Sequence, residues 1–311
     1  MAFLSTFSII ARDTASGELG VAVQTHWFAV GTLCLWIEAG VGAVATQSMV
    51  EPAYGPGALD LMRQGYNAKQ ALEKLLGDDA DRELRQVAIV DTHGNVAVHT
   101  GNRCVAFAGH QDGESFSVQA NMMANASVWP AMHQAFISSK GELAERMLAA
   151  LKAGQSAGGD IRGQQSAALL VANAEGGLQP WRQVKVNLRV DDHPRPIEEL
   201  DRLLKVHNAY ILMNAGDNLL AEGKKVDARE KYRSAARLAP GNDELLFWGA
   251  VTMADSGFLE DALTIFKTIF NRNTQWFELL QRLPAAGLFN KDPKMMKIIQ
   301  RQINHERSKN D

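Results

Sequence analysis

Residues 6–25 read TFSIIARDTASGELGVAVQT, and this stretch decides the fold of the N-terminal half of the chain. Thr6–Arg12 (TFSIIAR) has the pattern of a short strand, and Gly20–Gln24 (GVAVQ) has the pattern of a returning strand. Between them, Asp13–Gly17 (DTASG) carries residues that favour turns. The stretch therefore predicts a β-hairpin at the start of the chain.

Further strands and helices follow the hairpin. Apolar runs within Leu33–Gln47 predict two buried strands, and apolar residues three and four apart predict helices at Ala58–Arg63 and Ala68–Leu76. Strand patterns also occur at Arg85–Val90, Val96–His99, Phe116–Asn121, Ser166–Asn173 and Val184–Val190, and Ser127–Ala153 has a helical period. This order is not the βαβ rhythm of a Rossmann domain, and it predicts an α+β domain with antiparallel sheets covered by helices.

The remainder of the chain reads as helix and contains an internal repeat. Gly223 and Gly257, Ala228 and Ala262, and Tyr232 and Phe266 are pairs of similar residues 34 positions apart. This period is typical of tetratricopeptide repeats, in which small residues let paired helices approach closely. We therefore predict a domain at residues 1–200, helical repeats at 201–290 and a basic tail at 291–311. Two repeats bury little core, so docking against the first domain or self-association is expected to supply the missing surface. We therefore expect a homo-oligomer, with a protein partner for the repeats as a further expectation.

Composition narrows the classes of partner. The formal net charge is −3 over 311 residues, which gives no reason to expect nucleic acid or an anionic membrane as partner. No run of 18 apolar residues occurs, and no secretion signal is recognised at the N-terminus, so a cytoplasmic protein is expected. The two cysteines, Cys34 and Cys104, lie far apart among apolar residues, which favours buried reduced thiols.

Six motifs in fixed order resemble the domain of unknown function 1028 family. They are TFSIIARD (6–13), GVAVQTHWFAVG (20–31), AGVGAVATQ (39–47), EPAYGPGALDLM (51–62), RQVAIVD (85–91) and GGDIRGQQSAALLV (158–171). The resemblance covers about residues 5–200, and that family is grouped with the Ntn-hydrolase superfamily. It implies a four-layer αββα sandwich and, broadly, amide-bond hydrolysis by an N-terminal nucleophile, without implying a substrate.

The resemblance places the nucleophile at Thr6, where the first strand opens. An enzyme of this kind uses the free α-amine of the same residue as its base, because an amine with a pKa near 8 is partly neutral at pH 7. Met1–Ser5 precede Thr6, so the residue becomes competent only if the Ser5–Thr6 bond is cut or translation begins later. The alternative is that Thr6 is an ordinary strand residue.

Polar residues at neighbouring strand ends are the candidates for supporting groups. His26 follows the second strand and either orients the amine or is simply packed; members of the family often carry a lysine near this position, so His26 is a departure. Gln47 either donates to substrate or caps the backbone. Gln119 and Asn121 either form an oxyanion hole, since amide donors stabilise developing negative charge, or lie there because asparagine favours the turn that follows the strand.

The loop GGDIRGQQSA (158–167) carries the densest polar cluster before a buried strand. Asp160, Arg162 and Gln165 either position a carboxylate-bearing substrate or lock the loop, and Arg85 is expected to join them. The spacing of the histidines matches no metal motif, so we expect neither a metal nor an organic cofactor.

Two functions remain open from the sequence. The first is an Ntn-type amidohydrolase that acts on a small amide or peptide-like substrate, with Thr6, Gln47 and Asn121 in catalysis. In this function His26, Arg85, Gln119, Asp160, Arg162 and Gln165 contact the substrate. The second is a non-catalytic binding protein that keeps the fold and uses its repeats for partner or self-association.

Overall fold

The computed structural model describes residues 3–177, 179–289 and 294–301. The chain divides into two compact units, Met1–Leu204 and Lys205–Asp311. The first unit is a mixed α+β structure that contains two antiparallel sheets, and the second is helical. This agrees with the α+β class and the C-terminal helical region predicted from the sequence.

The first sheet is built around the predicted hairpin. Its strand order is β11-β10-β3-β2-β9-β8, with every neighbouring pair antiparallel. Its strands are β2 (Thr6–Arg12), β3 (Leu19–Thr25), β8 (Gly109–Gly113), β9 (Phe116–Asn121), β10 (Ser166–Ala172) and β11 (Val184–Val190). Thr6 pairs with Thr25 and Arg12 pairs with Leu19, so the hairpin is in register along its whole length.

The second sheet has the order β1-β5-β6-β7, and β4 also pairs with β5. Its strands are β1 (Phe3–Leu4), β4 (Leu35–Glu38), β5 (Gly42–Met49), β6 (Arg85–Asp91) and β7 (Val96–Thr100). β1 lies in this sheet whereas β2 lies in the first, so the chain passes from one sheet to the other at Ser5. This crossing puts the Ser5–Thr6 peptide bond at the junction of the two sheets.

Three apolar clusters hold the first unit together. One lies between the first sheet and helices α3 (Val128–Ser138) and α4 (Leu143–Ser156), and it includes Phe7 and Ile9. A second lies between the two sheets and includes Ile10. A third joins the second sheet to helices α1 (Tyr54–Arg63) and α2 (Ala68–Asp78). Consecutive residues of β2 thus enter different clusters, as the alternation of side chains along a strand requires.

The structure corrects one helix and adds elements that the sequence pattern did not predict. The continuous helical period of Ser127–Ala153 is divided between α3 and α4, because Ser139 is extended and Gly141 has a positive φ of 107°. Strand β1 has two residues, β8 is the polar stretch GHQDG, and α5 is the four-residue Pro180–Gln183. None of these carries an apolar period long enough to be recognised.

The second unit places equivalent residues of the 34-residue repeat in equivalent positions. Gly223 and Gly257 each lie between two helices with positive φ, and Tyr232 and Phe266 are both buried. Gly216 lies against the Tyr232 ring, where a Cβ atom would meet the ring at 2.7 Å. The helices are α6 (Pro196–Ala221, which crosses the boundary between the units), α7 (Lys225–Leu238), α8 (Asp243–Asp255), α9 (Leu259–Arg272) and α10 (Gln275–Ala286).

Residues 294–301, within the predicted basic tail, are helical, whereas residues 291–293 and 302–311 of that tail lie outside the described residues. Among the helices that the structure describes, none is both long and apolar enough to cross a bilayer.

Gln24 on β3 is a buried amide without a hydrogen-bond partner for either of its side-chain atoms. Its cross-strand neighbours are Phe7 and Ala167, which belong to the cluster under α3 and α4. An unpaired buried polar group costs about 1–3 kcal/mol. We therefore expect Gln24→Met to raise the melting temperature by a few degrees, with the exposed Gln64→Met as control. A lower melting temperature for Gln24→Met in calorimetry would contradict this account of the site.

Candidate functional site

The candidate site lies where β2, β3 and β9 end together. Thr6 is the first residue of β2 and pairs with Thr25 on one side and Asn121 on the other. Thr6 and Thr25 are fully buried, and Asn121 nearly so. The Thr6 hydroxyl lies 3.5 Å from the Thr25 hydroxyl oxygen. Two hydroxyl groups therefore face each other beside the Ser5–Thr6 peptide bond.

The Ser5 carbonyl oxygen accepts hydrogen bonds from two side chains. The Thr25 hydroxyl donates to it over a short distance, and Nη2 of Arg162 lies 3.3 Å away. A hydroxyl and a guanidinium placed on one carbonyl oxygen are the kind of donors that stabilise negative charge at that atom. In the full chain the Thr6 nitrogen belongs to this peptide bond, so it is not a free amine.

A buried amide network holds the other side of Thr6. Nε2 of Gln47 lies 3.3 Å and Nδ2 of Asn121 lies 3.4 Å from the Thr6 carbonyl oxygen. Both amide nitrogens also donate to Oε1 of Gln86, at 2.7 Å and 3.1 Å respectively. Gln86 in turn donates to the Ala120 carbonyl at 2.9 Å and the Thr100 hydroxyl at 2.9 Å. The network joins both sheets behind Thr6.

Gln119 belongs to the same network, one step further from Thr6. Its Nε2 donates to the Ser8 hydroxyl at 2.5 Å, and that hydroxyl donates to Oε1 of Gln47 at 2.7 Å. Gln47 thus has contacts at both ends of its amide. By contrast, Oδ1 of Asn121 is buried and has no hydrogen-bond partner, which leaves one acceptor beside Thr6 unused.

The Asp160–Arg162 loop reaches the site through Arg162. The Asp160 side chain is fully buried and pairs with Arg162, whose Nη2 lies 3.0 Å from Oδ2. Asp160 also accepts from the backbone nitrogen of His26 at 2.9 Å and from that of Arg162 at 2.9 Å. The Arg162 side chain is one-third exposed. Asp160 therefore fixes the guanidinium that contacts the Ser5 carbonyl.

His26 and Gln165 lie on the outer side of this loop. Nδ1 of the half-buried His26 is 3.3 Å from Oε1 of Gln165, and Gln165 donates to Asp192 at 3.2 Å. The structure thus brings seven of the predicted residues into one connected region. They are Thr6, Gln47, Gln119, Asn121, Asp160, Arg162 and His26, with Gln165 at its rim.

Residues 6–200 match the sequence model of a family described as "Family of unknown function (DUF1028)". The chain belongs to this family. It is similar to the crystal structure of a DUF1028 protein from Silicibacter pomeroyi, with 34% sequence identity and a TM-score of 0.58. That match covers 65% of this chain and 88% of the other. No functionally curated protein matches the chain.

Arg85 of the DUF1028 domain lies outside the Asp160 cluster, which corrects the expectation that it joins that loop. Its Nε donates to Asp79 at 2.8 Å and its Nη1 donates to the Met49 carbonyl at 2.8 Å. Tyr54 also donates to Asp79, at 3.0 Å. The hydrogen bond from Arg85 holds the pKa of the Asp79 carboxyl below its usual value. Arg85 therefore anchors the end of β5. Sequence order alone does not show which neighbouring segment a charged residue at a strand end contacts.

The Asp79–Arg85 pair gives the domain a defined dependence on pH. Because the folded-state pKa of Asp79 is lowered, its contribution to stability is complete above about pH 5 and is lost as the pH falls through the folded pKa. We expect Asp79→Asn to lower the free energy of unfolding by about 2 kcal/mol at pH 7. In urea titrations, the difference in free energy of unfolding between Asp79→Asn and the original protein should become smaller below about pH 4. A difference that is constant from pH 7 to pH 3 would contradict this assignment.

Neither cysteine of the DUF1028 domain has the features of a nucleophile. Burial raises the pKa of the Cys34 thiol far above its usual range, and burial also raises that of Cys104. Neither is in a disulfide. Within residues 3–177, 179–289 and 294–301, no group of three or more His, Cys, Asp or Glu side chains is placed to hold a metal ion.

Sequence reasoning missed three residues of this site: Ser5, Thr25 and Gln86. The signal for Thr25 was its place opposite Thr6 in the hairpin, which follows once the register is known. The signal for Gln86 was a long polar residue inside the otherwise apolar strand RQVAIVD. Ser5 had no signal in the sequence, because its role follows from the crossing between the sheets.

Proposed function

We propose that this chain is an Ntn-type amidohydrolase that becomes active when the Ser5–Thr6 bond is cut and Thr6 becomes the first residue. The observation that carries the proposal is the pair of donors, Thr25 and Arg162, on the Ser5 carbonyl directly beside the Thr6 hydroxyl. In an ordinary strand the donors to a backbone carbonyl are the N–H groups of neighbouring strands, whereas this carbonyl accepts from a hydroxyl and a guanidinium.

The same geometry supports cleavage by the chain itself. The Thr6 oxygen attacks the Ser5 carbonyl carbon, its proton passes to the Thr25 oxygen, and the Thr25 proton passes to the Ser5 oxygen. Arg162 stabilises the charge that develops there. The C–N bond then breaks as the proton on the Ser5 oxygen passes to the nitrogen, which restores the carbonyl. The nitrogen becomes the Thr6 amine, and an ester links Ser5 to the Thr6 oxygen. Water hydrolyses the ester and releases residues 1–5 as a carboxylic acid.

In the cut enzyme the Thr6 amine takes the place of a separate base. It accepts the Thr6 hydroxyl proton as the oxygen attacks the substrate carbonyl, and it returns that proton to the leaving amine. Thr25 and Arg162 hold the oxyanion in this scheme. Gln47 and Asn121 are positioning residues, because they hold the Thr6 carbonyl, and the unused Oδ1 of Asn121 is available to the new ammonium group.

The arrangement of the apolar clusters supports an Ntn-hydrolase-like sandwich. Helices α3 and α4 cover one sheet, the two sheets pack on each other, and helices α1 and α2 cover the other sheet. This order of layers supports our proposal of a four-layer αββα arrangement, which the family resemblance implies.

The second unit is proposed to be a tetratricopeptide-like module. The support is the equivalence of Gly223 with Gly257 and of Tyr232 with Phe266 across the 34-residue repeat. Val226 and Ile211 are exposed apolar residues on its helices. We assign partner binding or self-association to this unit, which analytical ultracentrifugation of the full chain tests.

Activity is tested with protein that begins at Thr6, released from a carrier by a protease that leaves no extra residue. Against a panel of short amides and acyl-amino acids, we expect hydrolysis by this protein. We expect a loss of at least about 1,000-fold in its Thr6→Val variant, because the nucleophile is gone. Thr6→Ser is the matched control, since it keeps the hydroxyl. Equal activity of Thr6→Val would overturn the proposal, and a complete lack of turnover would favour the binding protein.

A further inference from the structure

Residues 3–5 of the full chain pair with the second sheet. Phe3 pairs with Met49 and Leu4 pairs with Ser48, antiparallel. Along the same side of β5, β4 pairs only with residues 42–45. Loss of residues 1–5 would therefore leave the backbone of Ser48 and Met49 open on that side. An open strand edge of this kind binds extended peptides through main-chain hydrogen bonds.

Ser5 fills a small and polar position next to that edge. It is fully buried, and its hydroxyl lies 3.2 Å from the Asn121 carbonyl oxygen and 3.0 Å from that of Met122. Two acceptors surround a space that holds one hydroxymethyl group. A small side chain with a donor suits this position. A large apolar one removes the hydroxyl donor from both carbonyls and must fit where a fully buried serine stands.

The chemistry of the proposed function links this segment to the substrate. The ester formed during self-cleavage joins the Ser5 acyl group to the Thr6 oxygen. The acyl-enzyme formed from a substrate joins that substrate's acyl group to the same oxygen. Residues 3–5 therefore occupy the place that the acyl part of a substrate must take, with its carbonyl oxygen on Thr25 and Arg162.

We infer that the substrate is an extended peptidyl amide cleaved after a small residue that bears a hydrogen-bond donor, such as serine. This inference rests on the proposed function. In it, the backbone of the acyl group pairs with Ser48 and Met49, and its last side chain donates to the carbonyls of Asn121 and Met122.

Binding is tested with the free pentapeptide Met-Ala-Phe-Leu-Ser, which is the sequence of residues 1–5. By calorimetry, we expect it to bind protein that begins at Thr6 at least about 10-fold more tightly than Met-Ala-Phe-Leu-Leu. Full-length protein carrying Thr6→Val keeps its own segment in place and should bind neither peptide. Equal affinity for the two peptides, or binding to the uncut variant, would overturn the inference.

Turnover separates failure of this inference from failure of the proposed function. Protein that begins at Thr6 is given acetyl-Phe-Leu-Ser-anilide, acetyl-Phe-Leu-Leu-anilide and a non-peptidic amide, and is also treated with a β-lactone that acylates an N-terminal threonine. Preference for the serine anilide by about 10-fold or more supports the inference. Acylation of Thr6 with turnover of the non-peptidic amide alone overturns the inference and leaves the proposed function intact. No acylation and no turnover overturns both.

Discussion

Replacing Thr25 by Val is expected to slow cleavage of the Ser5–Thr6 bond by about 100-fold. Thr25 donates to the Ser5 carbonyl and faces the Thr6 hydroxyl, so the change removes both an oxyanion donor and the proposed path of the proton. Loss of one such donor costs roughly 100-fold to 1,000-fold in rate. Valine has nearly the same shape and suits a strand, so β3 should be retained.

The rate is measured by intact-mass spectrometry of newly synthesised chain in a cell-free translation mixture, sampled over time. Thr25→Ser keeps the hydroxyl and should cleave at close to the original rate. Circular dichroism and the melting temperature establish that both variants fold. If a folded Thr25→Val variant cleaves as fast as Thr25→Ser, Thr25 has no part in the reaction.

Gln86→Leu is expected to lower the free energy of unfolding by about 3 kcal/mol. Gln86 accepts from Gln47 and Asn121 and donates to Thr100 and the Ala120 carbonyl, so leucine leaves several buried groups without partners. Each such group costs about 1–3 kcal/mol, with partial relief where neighbours rearrange.

Urea denaturation measures this loss, and Gln134→Leu on the exposed surface of α3 is the matched control. The control should change stability by less than about 0.5 kcal/mol. A Gln86→Leu variant as stable as the control would show that the amide network does not hold the two sheets together behind Thr6.

Much of the fold follows from local pattern in the sequence. The strand of Thr6–Arg12 and the buried strand of Gly42–Met49 contain apolar runs typical of strands, and the helix of Ala68–Asp78 carries the helical period. Elements without such a run or period are not predicted. The two-residue β1 forms because the backbone of Phe3 and Leu4 pairs with the end of β5, more than forty positions away in the sequence.

Some residues of the candidate site are likewise predictable from the sequence, and others are not. The family resemblance predicts Thr6, a strand end predicts Asn121 and a polar loop predicts Arg162, and the three lie close together in the structure. The roles of Thr25 and Gln86 depend on which atoms meet across strands and between sheets, and a single sequence does not encode those distances in any local pattern. Arg85 shows the opposite case: its position at a strand end suggests contact with the Asp160 loop, but in the structure it pairs with Asp79.

The intact mass of full-length protein, followed over time after synthesis, shows whether Thr6 becomes the first residue. We predict loss of residues 1–5, a new N-terminus at Thr6, and no such loss in Thr6→Val. A folded chain that keeps Met1 or Ala2 as its first residue indefinitely, and gains no activity when it is made to begin at Thr6, would contradict the proposed function.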